Sequence, residues 1–167
     1  MKAQFIQLEH LQFSKVWFYT IRVEGKPMSE FHDFQKRMQQ YKKDKSQAAE
    51  INRFIKNIGE YYGAQDRYFK REGHAERLPP PTHRFVESDG ETDFGLRLYC
   101  IRISDEIVIL LNGDRKTAQR LKDCPNCKPH FDFANTISDL IFEARKNGFM
   151  EIDGFDILID DDFELSF

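Results

Sequence analysis

The most constraining feature of the sequence is a run of five apolar residues near its middle. Residues 107–111 read Ile-Val-Ile-Leu-Leu, with no polar side chain on either face of an extended chain. Neighbouring side chains of a strand point to opposite faces, so residues 106–112 are predicted to form a central strand covered on both sides. Residues 94–103 have strand composition too, and Ser104-Asp105 predicts a short turn between the two. We therefore expect an antiparallel hairpin at the centre of the fold.

A strand and a helix are predicted ahead of this hairpin. Residues 15–23 are rich in β-branched and aromatic types, which predicts a strand. Apolar residues then recur at spacings of three and four, which places them on one face of a helix over residues 29–43. These residues are Phe31, Phe34, Met38 and Tyr41.

A second helix is predicted directly after the first. Asp44 is followed three residues later by Gln47, the spacing of a capping box, and Gly63 marks the end. Its apolar stripe consists of Ile51, Ile55, Ile58 and Tyr62. Two adjacent amphipathic helices with a tight join predict a helical hairpin.

The second half of the chain contains two predicted loops, a helix and a last strand. Residues 64–93 and 113–131 are polar and are interpreted as long loops. Asp132 is expected to open a helix that Gly148 ends, and residues 152–159 favour a final strand. The order of elements predicts an α+β fold, with a helical hairpin and a C-terminal helix packed on a mostly antiparallel sheet.

Charge divides the chain into a domain at 1–150 and an acidic extension at 151–167. The whole chain of 167 residues has 25 basic and 28 acidic residues, but the extension holds seven acids and no base. We interpret the extension as an added edge strand protected by its charge, or as a screen for a basic region. That region is 36–77, where eleven bases face six acids.

A basic region favours phosphate-bearing partners through counterion release, although it also suits a solvated helix face. The candidate nucleic-acid-binding residues are Lys36, Arg37, Lys42, Lys43 and Arg53. No apolar run is long enough to span a membrane, and no signal peptide is visible. Only three cysteines are present, an odd number, so we expect a reducing, cytoplasmic setting.

Two of the cysteines form a C-x-x-C-x-x-H motif. Cys124 and Cys127 have the spacing of two thiolates that grip one zinc ion, and His130 is a candidate third ligand. A structural zinc site needs four ligands, and no second knuckle is present. The alternatives are a redox pair, which normally opens a helix after a strand, and an ordinary loop.

The central hairpin resembles the sheet of the RelE/ParE superfamily of small bacterial toxins. The resemblance rests on Leu-Arg-Leu-Tyr-Cys-Ile-Arg at 96–102 and on the apolar strand that runs into Asn-Gly-Asp-Arg-Lys-Thr-Ala-Gln at 112–119. It is closest to the phage Gp49-like and addiction-module-killer branch. The family also places two helices between its first strand and this sheet. The chain departs from the compact members in its two long loops and its acidic tail.

The resemblance implies a toxin of a toxin–antitoxin or phage-derived module that cleaves mRNA, on the ribosome, without a metal ion. Arg97 and Arg115 or Lys116 would hold phosphate, and Tyr99 would stack or transfer a proton. An antitoxin protein would cover the basic cleft.

Three other interpretations stay open. In the first, Tyr99 is a core ring and Arg97 pairs with a carboxylate of the tail. In the second, the chain is a non-enzymatic RNA- or protein-binding module that keeps the fold. In the third, it is a structural protein stabilised by zinc. His83 and His130 are candidate general bases by side-chain type, or ordinary surface histidines.

Overall fold

A seven-stranded sheet runs through the molecule, and a separate two-stranded hairpin lies near its C-terminus. The computed structural model describes residues 1–167. The strands are β1 (Lys2–Gln12), β2 (Trp17–Val23), β3 (Lys70–Glu72), β4 (Ala75–Leu78), β5 (Leu96–Arg102), β6 (Ile107–Arg115), β7 (Met150–Asp153), β8 (Asp156–Ile159) and β9 (Leu165–Ser166). The order in the large sheet is β3-β4-β5-β6-β2-β1-β9, and only β2 and β6 pair in parallel. The predicted hairpin at its centre is confirmed.

Three helices pack on this sheet: α1 (Glu30–Arg37), α2 (Lys42–Asn57) and α3 (Lys128–Lys146). A turn of π-helix, Ile58–Tyr62, extends α2. Gln35 of α1 and Asn52 of α2 exchange hydrogen bonds of 2.8 and 3.2 Å through their side-chain amides, which ties the two helices together. The predicted α+β fold, with its helical hairpin, its C-terminal helix and its mostly antiparallel sheet, is confirmed.

The sheet has one apolar core on each face, as the central apolar run requires. Val108 and Leu110 of β6 face the core shared with α1 and α2. Ile107, Ile109 and Leu111 face the core shared with α3, and none of these five side chains is exposed. Alternation of the strand side chains therefore assigns each residue to one of two layers.

Several element boundaries differ from those predicted. The α1 helix ends at Arg37 and α2 begins at Lys42, so the break between the helices precedes Asp44, which caps neither of them. The α3 helix begins at Lys128, earlier than the predicted start at Asp132. Its first turn contains a proline, which is tolerated there because the first backbone N–H groups of a helix have no intrahelical partner.

Three strands lie outside the predicted ones. The long strand β1 carries glutamine, glutamate and histidine between its apolar residues, which obscures the alternation. Strands β3 and β4 lie within the region interpreted as a loop, where they form a short charged hairpin around Gly73. Strand β4 pairs with β5, and β3 pairs with β4, so these hydrogen bonds keep both short strands extended.

The acidic extension is built into the fold. Its predicted boundary after residue 150 falls inside β7, and the single strand predicted at 152–159 is instead the hairpin of β7 and β8. Strand β9 adds an edge strand to β1, and Leu165 is buried in the core on the α3 face. The hydroxyl of Tyr19 donates a 2.7 Å hydrogen bond to the carbonyl of Phe155. The chain contains no helix with the length and apolar character that a bilayer crossing would need.

Candidate functional site

Three basic residues lie at one end of the sheet, on the face that carries α3. Arg77 lies on β4 directly opposite Tyr99 of β5, and Arg97 lies two residues before Tyr99 on the same face. Lys116 follows the end of β6 and continues the backbone pairing there. We call Arg77, Arg97 and Lys116 the cationic cluster. Sequence reasoning found Arg97 and Lys116 but missed Arg77, for which the one local signal is Gly73, a turn residue four positions earlier.

The cationic cluster is short of negative charge. Burial and the charge of Arg77 lower the pKa of Arg97 to about 10. Burial lowers the pKa of Lys116 as well, and the charge of Arg97 adds to that effect. Glu72 is the acid that acts on the cluster, and its carboxylate accepts a 2.9 Å hydrogen bond from Nε of Arg77. Three cations facing one carboxylate leave a positive site.

Arg97 keeps unused hydrogen-bonding capacity. Its Nη1 donates to the backbone carbonyls of Phe94 and Leu96 at 2.8 and 3.1 Å, while its Nε is buried with no partner. An unpaired buried donor is costly, so an anionic acceptor at this place would be favoured. Nζ of Lys116 lies 5.2 Å from the centre of the Phe94 ring, and this cation–π contact positions the ammonium group. The alternative in which Arg97 pairs with a tail carboxylate is not what the structure shows.

Tyr99 is a core residue next to the cationic cluster. Only 1% of it is exposed, and its ring meets that of Phe131 edge-on at 6.2 Å. Burial raises the pKa of its phenol, and the nearby Cys127 thiol adds to the effect. This packing agrees with the interpretation of Tyr99 as a core ring, and the stacking or proton-transfer role that the resemblance implies stays a prediction.

Arg115 points to the opposite face of the sheet from Arg97. Its guanidinium donates to the carboxylates of Asp44, at 3.1 Å from Nε, and of Asp93, at 2.8 Å from Nη1. Nη1 also donates to Gln47 at 3.0 Å. The side chain is only 16% exposed and is held between α2 and the loop before β5. The two residues predicted to form a capping box therefore bind Arg115 instead.

A β-bulge explains why Arg97 and Arg115 separate. Leu98 pairs with Gly113, but Cys100, two residues later on β5, pairs with Leu110, three residues earlier on β6. The extra residue in β6 reverses the alternation of its side chains, as a one-residue slip does. Ile107 to Leu111 send their odd-numbered side chains toward α3, whereas Arg115 faces α2 and Lys116 lies with Arg97.

Asp93, the carboxylate that binds Lys43 and Arg115, predicts how the free energy of unfolding depends on pH. Burial opposes ionisation of Asp93, but hydrogen bonds from Lys43, Gly95 and Arg115 outweigh it and lower its pKa. In acid the unfolded chain therefore binds more protons than the folded chain. The stabilisation from Asp93 is fully present above the ordinary aspartate pKa and is lost as pH falls through the lower pKa of Asp93 in the folded protein.

We expect the free energy of unfolding to fall between pH 5 and pH 2 in urea titrations (ordinary aspartate pKa about 4). D93N should lower it at pH 7 by roughly 1–2 kcal/mol and flatten the acid slope. D161N, in the exposed tail, is the control. Equal acid slopes for D93N and the parent protein would contradict the assignment.

The predicted nucleic-acid-binding residues of the helical hairpin divide into two groups. Lys36, Lys42 and Arg53 are exposed. Arg37 is engaged by Asp33 at 2.9 Å and by Asp114 at 3.3 Å, and Lys43 pairs with Asp93. Only the exposed three are therefore free for a partner on this face.

The C-x-x-C motif lies in a turn, as its interpretation as a loop predicts, and this turn leads directly into α3. Cys127 immediately precedes α3, and both Cys124 and Cys127 are fully buried. Burial opposes ionisation of Cys124, but hydrogen bonds to its Sγ, including one of 3.4 Å from the backbone N–H of Thr117, outweigh it and lower its pKa. Burial raises the pKa of Cys127 to about 12.

The two predicted histidines lie apart from the cationic cluster. The structure forms no group of three His, Cys, Asp or Glu side chains able to hold a metal ion, so His130 does not complete a set with the two cysteines. Burial lowers the pKa of His130, whose strongest charged neighbour is Arg37. His83 packs edge-on against the rings of Phe54 and Phe85, and its Nε2 lies 3.3 Å from the Glu50 carboxylate. These contacts indicate a structural role for His83.

Comparison of the chain with protein-family models, with curated proteins and with solved structures finds no significant match.

Proposed function

We propose that this protein is a toxin-type RNA-binding protein, of the kind that the RelE/ParE resemblance implies, and that it holds RNA phosphates at the cationic cluster. The observation that carries the proposal is the placement of Arg77, Arg97 and Lys116 on one face at one end of the sheet, with Nε of Arg97 buried and unpaired. The order of strand, two helices, central hairpin and closing helix agrees with it.

The chemistry of the cluster suits a phosphodiester. Guanidinium groups present several donors in a plane and match the oxygen geometry of phosphate. Partial burial of Arg97 and Lys116 lowers the local dielectric constant and strengthens attraction to an anion. Phosphate contacts of this kind give affinity without base recognition, so binding should depend strongly on salt and weakly on sequence.

The test is binding of a single-stranded RNA oligonucleotide, measured by fluorescence anisotropy at several salt concentrations. R97Q and K116Q should each weaken binding about tenfold. Each should also reduce the salt slope by roughly 0.7, because one RNA phosphate would no longer be neutralised by the protein. K42Q removes the same charge from the exposed face of α2 and should change little. Circular dichroism melts check that each variant is folded.

An equal loss of affinity for K42Q would locate the RNA on the helical hairpin and overturn this assignment. Full affinity of the double variant R97Q/K116Q would do so as well.

A second candidate function is cleavage of the bound RNA without a metal ion. The observation that favours it is the lowered pKa of Lys116, which makes its ammonium group a better proton donor beside the two arginines. The 2′-oxygen would attack the phosphorus and lose its proton to water, the P–O5′ bond would break, and Lys116 would protonate the leaving 5′-oxygen. The two arginines would stabilise the negative charge that develops on the phosphate. Incubation with RNA in EDTA should then give products ending in a 2′,3′-cyclic phosphate, and K116Q should not form them.

The proposed setting is the bacterial cytoplasm, where an antitoxin protein would cover the cationic cluster with acidic side chains. Induced expression of the wild-type chain alone should arrest growth, and R97Q should relieve the arrest. Normal growth on expression of soluble wild-type protein would count against the toxin assignment while leaving the RNA-binding measurement to stand on its own.

A further inference from the structure

A groove of about 410 Å³ opens between α3 and the end of β5 that lies away from the cationic cluster. Three arginines from three different elements line it: Arg71 from β3, Arg102 from the end of β5 and Arg145 from the last turn of α3. We call this feature the arginine groove. Its volume lies within the range that small-molecule sites occupy.

The arginines of this groove are incompletely neutralised. Arg71 is 3.9 Å from Glu76, at the outer limit of an ion pair, and Arg145 makes no ion pair in the chain. Nη1 of Arg102 donates hydrogen bonds to the Asp105 carboxylate and to the backbone carbonyl of Ala64. Its Nε is buried without a partner.

The acids that line the arginine groove are already engaged. Asp139 binds Nδ1 of His74 at 2.6 Å, and Glu76 accepts the backbone N–H of Arg102 at 3.1 Å. With Asp105 on Arg102, three arginines face three carboxylates, and Arg145 is the arginine of the groove that has no acidic partner.

The same groove has an apolar side. Phe142 lines it from α3 and is 66% exposed, which is unusual for so large a ring, and Ile103 lines it from the chain that leaves β5. An exposed aromatic face beside guanidinium groups can stack a planar base while the arginines hold its phosphate.

We propose that the arginine groove binds a nucleotide, with its phosphate at Arg71 and Arg145 and its base against Phe142. This site uses none of the residues of the cationic cluster. Arg97 and Arg102 are five positions apart on β5, or roughly 17 Å at the usual rise of a strand, so one mononucleotide cannot occupy both places.

The experiment is isothermal titration of the full chain with AMP, and in parallel with inorganic phosphate and with adenosine. AMP should bind in a saturable manner, and it should bind more tightly than inorganic phosphate or adenosine does. R145Q should weaken AMP binding about tenfold, whereas K146Q, which removes the same charge from the next residue of α3, should not. F142A should weaken AMP binding and leave phosphate binding unchanged.

Each opposite result overturns the proposal. No saturable binding of AMP would remove the site, and equal losses for R145Q and K146Q would reduce it to general charge attraction. Phosphate binding as tight as that of AMP, unaffected by F142A, would show an anion site with no place for a base. The variants of this test leave Arg97 and Lys116 in place, so it succeeds or fails independently of RNA binding at the cationic cluster.

Discussion

Replacing Gly113 with alanine is expected to lower the free energy of unfolding by about 3 kcal/mol or more, at or above the upper end of the usual cost of overpacking. A Cβ atom at this position would lie 1.7 Å from the carbonyl oxygen of Arg97 and 3.0 Å from Cα of Leu98. Both are backbone atoms of the paired strand β5, so no side chain can move to make room. The strands would have to separate at the β-bulge.

Urea denaturation of the variant measures this cost, and G90A provides the control. Gly90 has a φ of +71° with open space around its would-be Cβ, so alanine there meets backbone strain but no neighbour. Its cost should be about 1 kcal/mol. A loss for G113A no larger than that of G90A would contradict the close approach of β5 and β6.

The same substitution should also affect the candidate site. The bulge in β6, next to Gly113, sets the side-chain directions of the residues that follow it, including Lys116. The strand paired with β6 there is β5, which carries Arg97. Any G113A protein that remains folded should therefore bind RNA less tightly than the parent, with a smaller dependence on salt.

Tyr99 is the second position where a large effect is expected. Y99A should lower the free energy of unfolding by about 3–5 kcal/mol, because it removes a fully buried ring and leaves a cavity beside Phe131. Thermal or urea unfolding followed by circular dichroism gives the value. Y41A is the matched control, because Tyr41 is 68% exposed and its loss should change stability by no more than about 0.5 kcal/mol.

The conservative variant Y99F distinguishes packing from chemistry. It keeps the ring and removes only the hydroxyl, so RNA affinity and any cleavage should match those of the parent. If Y99F folded normally but lost cleavage, the ring would regain the proton-transfer role that the resemblance implies.

The parts of the fold that could be predicted are those with a strong local period. The five-residue apolar run required a central strand with a layer on each side, and Phe31, Phe34 and Met38 of the predicted stripe are indeed buried. Strand β1 escaped prediction because polar residues interrupt its alternation, and β3 and β4 escaped because they are short and charged. Their extended form depends on hydrogen bonds to neighbours that are distant in sequence.

The candidate site was harder to predict than the fold, because its members come from different strands. Arg77 lies in a segment without a legible period, and nothing local shows that it faces Arg97. The spacing of Asp44 and Gln47 predicted a capping box, but α2 begins at Lys42 and both side chains bind Arg115 instead. The start of α3 was also missed, because it lies at Lys128, directly after the cysteine motif and one turn before the predicted start at Asp132.

Hydrophobic period and residue type were enough to define the class of fold, the two-sided burial of the central strand and the candidate basic residues on it. Which of those cations meet depends instead on how the strands pair. One extra residue in β6 sends Arg115 to Asp44 and Asp93 and leaves Lys116 beside Arg97. Such a bulge exists only when two strands are paired, because it is a mismatch in their register and not a property of either strand.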